Sequence, residues 1–177
     1  EWKTLVAGIT AGKYHMTGSA SVSPARAKAT GYSDSYFSLA TVPLTLKSNA
    51  DKYKDWEDLN NADVRVAATL GTTQEKQVKQ YFPDAKHVIV EAPAQPFQQV
   101  LSGRADAHIT SNVEANKLVA IHSDLMIVPV SAPKSPTPIA MLLPQADQVW
   151  INYVNTWIKL KQERGFFKEL DDKWKLN

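Results

Sequence analysis

No cysteine occurs among the 177 residues of the chain. That absence excludes a disulfide scaffold, a thiolate zinc or iron–sulfur site and a cysteine nucleophile. It names no compartment, although it suits an oxidising one. Long apolar runs are lacking as well: none approaches the roughly 20 residues that a membrane-spanning helix needs. Charge of one sign is hardly in excess, since 20 Lys and Arg stand against 18 Asp and Glu for a net +2. A nucleic-acid surface would gather its basic residues among aromatics. Here they are spread out, and the densest stretch, Lys159 to Arg164, reads as the solvated face of a helix. Glu1-Trp2-Lys3 carries no basic-then-apolar signal peptide, as a mature secreted protein also would not. The remaining composition, 44% apolar and 21% charged, is that of an ordinary soluble globular protein.

Short β-rich runs alternate with helical patterns, which predicts an α/β fold with mostly parallel strands. Val64 to Ala68, His87 to Val90, Ala105 to Thr110 and Met126 to Val130 read as strands. Helices are expected over Gln74–Phe82, from about Ala94 to Leu101, and from Ser111 to about Ile121. Phe37 to Lys47 and Pro138 to Leu143 read as two extended strands bracketing these βα units. After Pro144 an amphipathic helix presents Ile151, Val154, Trp157 and Ile158 on one face. Gly165 caps it, and Phe166, Phe167, Leu170 and Trp174 form a second stripe. Residues 1–11 read as a helix feeding a strand over Tyr14–Ser19, an opening that lacks a partner for either element.

Several chemical motifs fail on spacing. Gly12-Lys13 is no phosphate loop, because only three residues separate Gly8 from Gly12 and Tyr14 stands where Ser or Thr must bind magnesium. No G-x-S-x-G elbow and no G-x-G-x-x-G occurs. His15, His87, His108 and His122 lack metal-ligand spacing, so no metal site and no cofactor are expected.

Three features survive. Gly18 to Arg26 places small and hydroxyl residues at a strand end with an arginine one turn later, a set suited to an oxyanion. The alternative is a helix cap at Ser23 with Pro24 at the first helical position and Arg26 on the surface. Gly71-Thr72-Thr73 occupies a strand-to-helix junction, where open α/β sheets bind anions. Its alternative is a capping box, Thr72-x-x-Glu75. Ser111-Asn112-Val113-Glu114 is a further junction of capping-box form, with Glu114 placed to reach back to the Ser111 backbone.

In this order the features resemble the extracellular solute-binding proteins of family 3, the polar-amino-acid-binding partners of ABC importers. Within the family the chain is most similar to the periplasmic cyclohexadienyl dehydratases. The resemblance rests on Ala11-Gly12-Lys13, Gly18 through Arg26, and Tyr32-Ser33-Asp34-Ser35-Tyr36, which is similar to the family's F-S-x-P-Y. It continues with Asp55-Trp56-Glu57-Asp58-Leu59, Gly71-Thr72-Thr73, Gly103-Arg104-Ala105-Asp106-Ala107 and the closing helix pair. It implies the two-lobed type II periplasmic-binding-protein fold, with hinge crossings near Ser38 to Thr41 and Leu143 to Ala146. Residues 40–143 would form the second lobe. Residues 1–39 and 144–177 would form a first lobe lacking its N-terminal segment.

The same resemblance implies site residues. Arg26 matches the arginine that clamps a ligand carboxylate, Ser21 the adjacent hydroxyl, and Gly18 and Ser19 the strand-end backbone. Thr72 and Thr73 match the second-lobe donors, with Ser111 and Asn112 at the next such junction but one along the chain. Trp2, Tyr14 and Tyr36 are candidate walls. Amino-acid-binding members place an aspartate where Ser111 stands, and a desolvated primary ammonium needs that charge. The expected ligand is therefore a small solute with a carboxylate or sulfonate group, anionic or a betaine-like zwitterion held by aromatic faces. The implied role is a periplasmic binding component working with an ABC permease, without nucleic acid and without spanning the membrane. The alternative is a prephenate or arogenate dehydratase, in which Glu114 would be the general acid beside the leaving hydroxyl.

Overall fold

Contacts group the chain into two compact units in the computed structural model, which describes residues 1–174 and 176. A central unit holds Glu1–Lys3 and Ala40–Pro136. A flanking unit holds Thr4–Leu39 and the described residues from Thr137 onward.

The chain opens with a 3-10 turn, Trp2–Thr4, and a short helix α1, Leu5–Thr10, where the sequence predicts one helix over 1–11. The strand expected over Tyr14–Ser19 is displaced to Thr17–Ser21 (β1). Tyr14 is held back from the ladder because its hydroxyl donates to the Leu5 carbonyl at 2.9 Å. Its ring lies over Gly8, where an added Cβ would sit 2.1 Å from the hydroxyl. A single turn of helix follows, Pro24–Ala27 (α2), then β2 at Gly31–Tyr32 and the long β3, Phe37–Leu46, which enters the central unit.

The central unit continues with β4 (Arg65–Thr69), α3 (Thr73–Tyr81), β5 (Lys86–Val90), α4 (Pro96–Leu101), β6 (Ala107–Ser111), α5 (Asn112–Ile121) and β7 (Leu125–Ile127). Strands β4, β5 and β6 are parallel, with Val66 opposite both His87 and Ala107. The expectation of a mostly parallel sheet holds only for these three. β3 runs antiparallel to β6, pairing Thr41 with Ser111, and antiparallel to β7, pairing Leu44 with Ile127. β7 also ends earlier than the predicted Val130. Pro129 has no N–H to offer the ladder, and the chain turns so that the Val130 N–H bonds the Val128 carbonyl at 2.7 Å.

Alternation along each strand sends side chains to opposite faces. Val66, Ala68, Ala107 and Ile109 join Tyr53, Trp56, Val78 and Phe82 in one core cluster, with α3 packed there. Ala67 and Leu44 join Val100, Ala115 and Leu118 on the opposite face, beneath α4 and α5. His108 lies between Ala107 and Ile109 in β6, fully buried, and its Nδ1 has no hydrogen-bond partner among the described residues. Lys134 places its ammonium over the rings of Trp56 and Tyr81, at 4.9 and 5.0 Å from their centroids.

The strand β8, Lys134–Leu143, returns the chain to the flanking unit and pairs there with β1 and β2, both antiparallel. Ile151, Val154 and Ile158 of α6 (Gln148–Glu163) pack with Leu143, and Trp157 is half-buried beside them. Gly165 takes φ +73°, which separates α6 from α7, Phe166–Trp174. Phe167 reaches the Leu143 cluster, whereas Trp174, expected in the same apolar stripe, is 65% exposed. Among the described residues no helix is long and apolar enough to cross a membrane.

Candidate functional site

The anion-suited segment of the flanking unit is built on a bulge. Thr17 pairs with Leu142 and Ala20 with Ala140, so three steps along β1 meet two along β8. The extra residue falls at Gly18–Ser19, and Ser19 takes φ +60°. A left-handed serine costs about 1–2 kcal/mol, and such residues persist where their surroundings over-determine them. Here the Ser19 N–H, turned off the ladder, donates to the Tyr36 hydroxyl at 2.8 Å. The bulge restores the alternation that buries Ala20 completely and leaves Ser19 exposed.

Beyond the bulge the chain caps α2. The Ser23 hydroxyl accepts the Arg26 N–H and Pro24 occupies the first helical position. The capping alternative for this segment is therefore realised, with Arg26 half-buried. One guanidinium nitrogen, Nη1, donates to the Ser21 carbonyl at 3.0 Å. The Tyr32 hydroxyl donates to that same carbonyl at 3.0 Å and accepts the Ser23 N–H at 3.3 Å.

In the central unit, two strand-to-helix junctions lie at the carboxyl ends of the adjacent parallel strands β4 and β6. At the first, the Thr72 hydroxyl accepts the Glu75 N–H at 3.2 Å and donates to the Thr69 carbonyl at 2.7 Å. Thr73 donates its hydroxyl to the Gln74 carboxamide at 3.1 Å. The Glu75 carboxylate accepts the Gly71 N–H and the Lys79 ammonium, both at 2.7 Å. Burial opposes ionisation of Glu75, yet these two donors outweigh it and hold its pKa below the ordinary carboxylate value. Gly71, at φ +77°, is the seat of the N-terminal residues: a Cβ there would meet the Lys3 backbone at 2.7 Å. The Lys3 ammonium pairs with Glu91, and Trp2, 39% exposed, is carried next to this turn.

At the second junction the Ser111 hydroxyl accepts the Glu114 N–H at 3.1 Å. Asn112 accepts the Ala40 N–H at 3.1 Å, tying α5 to β3 where β3 enters the unit. Glu114 does not reach back to the Ser111 backbone as its spacing predicts. Its carboxylate instead accepts the Thr110 hydroxyl, which β6 delivers one residue earlier.

The structure thus brings Ser19 to Tyr36 and Ser21 to Arg26 in the flanking unit, and the Lys3 backbone, next in the chain after Trp2, to Gly71 in the central one. Tyr14 stands over Gly8. Tyr32 escapes a reading based on residue type alone; its signal is its place four residues before Tyr36, so that two hydroxyls bracket one segment. Among the described residues no group of three His, Asp or Glu is placed to hold a metal ion.

Comparison with known proteins places this geometry in context. The model for bacterial extracellular solute-binding proteins, family 3, matches residues 1–177. The cyclohexadienyl dehydratase of Pseudomonas aeruginosa is 26% identical over 144 residues, which cover 78% of this chain and 53% of that enzyme. The chain therefore spans about half the length of that curated relative. Among solved structures, an ancestral amino-acid-binding protein described as a precursor of cyclohexadienyl dehydratase is 34% identical with a TM-score of 0.89. The match covers 98% of this chain and 74% of that one. A mutant of ArgBP from T. maritima is 25% identical with a TM-score of 0.87, covering 99% and 75% of the two chains. The α/β fold is that of the type II periplasmic binding proteins. The chain belongs to the bacterial extracellular solute-binding proteins of family 3.

Proposed function

We propose that the protein is the solute-binding component of an ABC importer on the periplasmic side, taking a small anionic or zwitterionic solute. The observation that carries this reading is the Arg26 guanidinium, anchored at 3.0 Å on the Ser21 carbonyl directly after the β1 bulge. A planar guanidinium anchored in this way is a directional donor for a carboxylate or sulfonate. Ser21, Ser19 and Gly18 would complete this half of the site. Thr72 and Thr73, with Ser111 and Asn112, would supply the other from the carboxyl ends of β4 and β6, where anions bind in open α/β sheets. Trp2 and Tyr36 would furnish aromatic walls, and Tyr14 would act from farther back through α1. Ser111 brings no charge to meet a primary ammonium, which favours an acid without one or a quaternary betaine. Solute contacts to both lobes would favour a closed state that the permease reads.

The test is thermal stabilisation of the protein by a panel of betaines, sulfonates and amino acids. Stabilisation by one class, lost in Arg26→Ala, is the expected result. Stabilisation that survives Arg26→Ala refutes the clamp.

A second reading, prephenate or arogenate dehydratase, is favoured by one observation: Glu114, an exposed residue in the first turn of α5, accepts the Thr110 hydroxyl with its carboxylate. Similarity to the Pseudomonas aeruginosa enzyme supports it. Formation of phenylpyruvate from prephenate, abolished in Glu114→Gln, would establish this reading in place of a purely transporting one.

A further inference from the structure

We propose that Tyr32 and Tyr36 are positioning residues for the anion-binding segment, acting through Ser19, Ser21 and Arg26. This deepens, and rests on, the anion reading above. The bulge at Gly18–Ser19 leaves one backbone N–H without a ladder partner, and Tyr36 accepts it at 2.8 Å. The Tyr36 ring is itself fixed. It stacks on Phe167 with centroids 5.4 Å apart and planes at 20°, and its backbone N–H bonds the Ile139 carbonyl at 3.1 Å. The left-handed backbone of Ser19 is thus pinned by a hydroxyl that α7 holds in place.

Tyr32 closes the other end of the same segment. Its hydroxyl donates to the Ser21 carbonyl and accepts the Ser23 N–H, so its single proton is committed in one direction. Because Arg26 Nη1 shares the Ser21 carbonyl, Tyr32 and the guanidinium hang on one anchor. A long arginine side chain ordered in advance loses less entropy when an anion arrives, so fixing the anchor raises affinity without touching the solute. All five residues lie in the flanking unit. Tyr36 engages Ser19 twice, through the N–H at 2.8 Å and through the hydroxyl at 3.4 Å, so the conformation of the whole residue is tied to that ring.

The experiment uses the whole chain with acetate as probe, followed by NMR of the Arg26 Nε–H and of the Ser19 and Ser23 amides. In the wild type, both amides exchange slowly without acetate, and acetate shifts the Arg26 signal. Tyr32→Phe and Tyr36→Phe, which keep the rings, each weaken acetate binding about tenfold, the effect of losing one well-placed hydrogen bond. Adding Ser19→Gly to Tyr36→Phe restores part of the affinity, because glycine holds φ +60° unaided. Wild-type affinity in both tyrosine variants overturns the proposal, as does fast exchange of either amide in the wild type. An Arg26 signal unmoved by acetate in the wild type overturns the anion reading itself, and the positioning role with it.

Discussion

Arg65 and Asp106 grip each other at the starts of β4 and β6 through backbone and side chain together. The Asp106 carboxylate accepts the Arg65 N–H at 2.8 Å, Nε at 2.9 Å and Nη2 at 3.0 Å, while the Asp106 N–H bonds the Arg65 carbonyl at 2.8 Å. The aspartate belongs to the Gly103-Arg104-Ala105-Asp106-Ala107 motif, and Arg65 also reaches the Gly103 carbonyl at 2.7 Å. The pair sets the register in which two parallel strands carry their capped helices.

Replacing Asp106 with Asn keeps the shape and removes the charge, so the fold loses about 2 kcal/mol. Burial raises the Asp106 pKa and the Arg65 contacts lower it further, for a net depression. A depressed carboxylate contributes stability above its unfolded pKa of about 3.9 and loses it as pH falls through the lower folded value. Urea unfolding of wild type and Asp106→Asn should therefore differ most at neutral pH and converge in acid.

His108 imposes a second acid limit, in a higher pH window. Burial pushes its pKa down from 6.5 to about 3, so the folded protein keeps it neutral while the unfolded chain binds a proton below 6.5. Stability is whole above pH 6.5 and declines as pH falls toward 3. Between pH 7.5 and 4.5 the loss amounts to about 2–3 kcal/mol. His108→Leu should flatten that slope in denaturant unfolding, and a variant as acid-sensitive as wild type would refute the assignment.

Gly8 has no room for a methyl group, since a Cβ would meet the Tyr14 ring at 2.1–2.4 Å. Gly8→Ala should cost about 1–3 kcal/mol by forcing Tyr14 off the Leu5 carbonyl. Calorimetry of Gly8→Ala against Gly8→Ala/Tyr14→Leu checks the cause, because the double variant should recover most of the loss.

The capping hydroxyls of α3 and α5 are separable from any binding role. Thr72→Ala and Ser111→Ala should each destabilise the fold by about 1 kcal/mol through the lost N-terminal hydrogen bond. Chemical denaturation measures that cost. Thr72→Ser, which keeps the hydroxyl, should retain wild-type stability.

These caps were legible in the sequence because a cap is a local event. Thr72 and Glu75, Ser111 and Glu114, and Ser23 with Pro24 are three residues apart or fewer, and their spacing alone predicts the bonds. The α6 stripe of Ile151, Val154 and Ile158 was legible for the same reason. What escaped was decided at a distance. Tyr14 leaves its strand for a carbonyl nine residues back, β7 pairs with β3 across some eighty residues of chain, and the Ser19 bulge is defined only by its partner β8. The Glu114 carboxylate chose between two nearby donors, and β6 settled it by presenting the Thr110 hydroxyl. Period-two and period-3.6 patterns carry no record of such choices.

The flanking unit is assembled from two separate stretches, Thr4–Leu39 and the described residues from Thr137 onward, with Ala40–Pro136 of the central unit threaded between. During synthesis this imposes an order. The strands and helices of the central unit that form its two core clusters emerge as one uninterrupted stretch, and those clusters can condense while translation continues. The β1–β8 ladder, by contrast, closes only after β8 leaves the ribosome, and the α6 face arrives later still. Until β8 is made that ladder stays open, while the clusters of the central unit form from sequence that has already emerged.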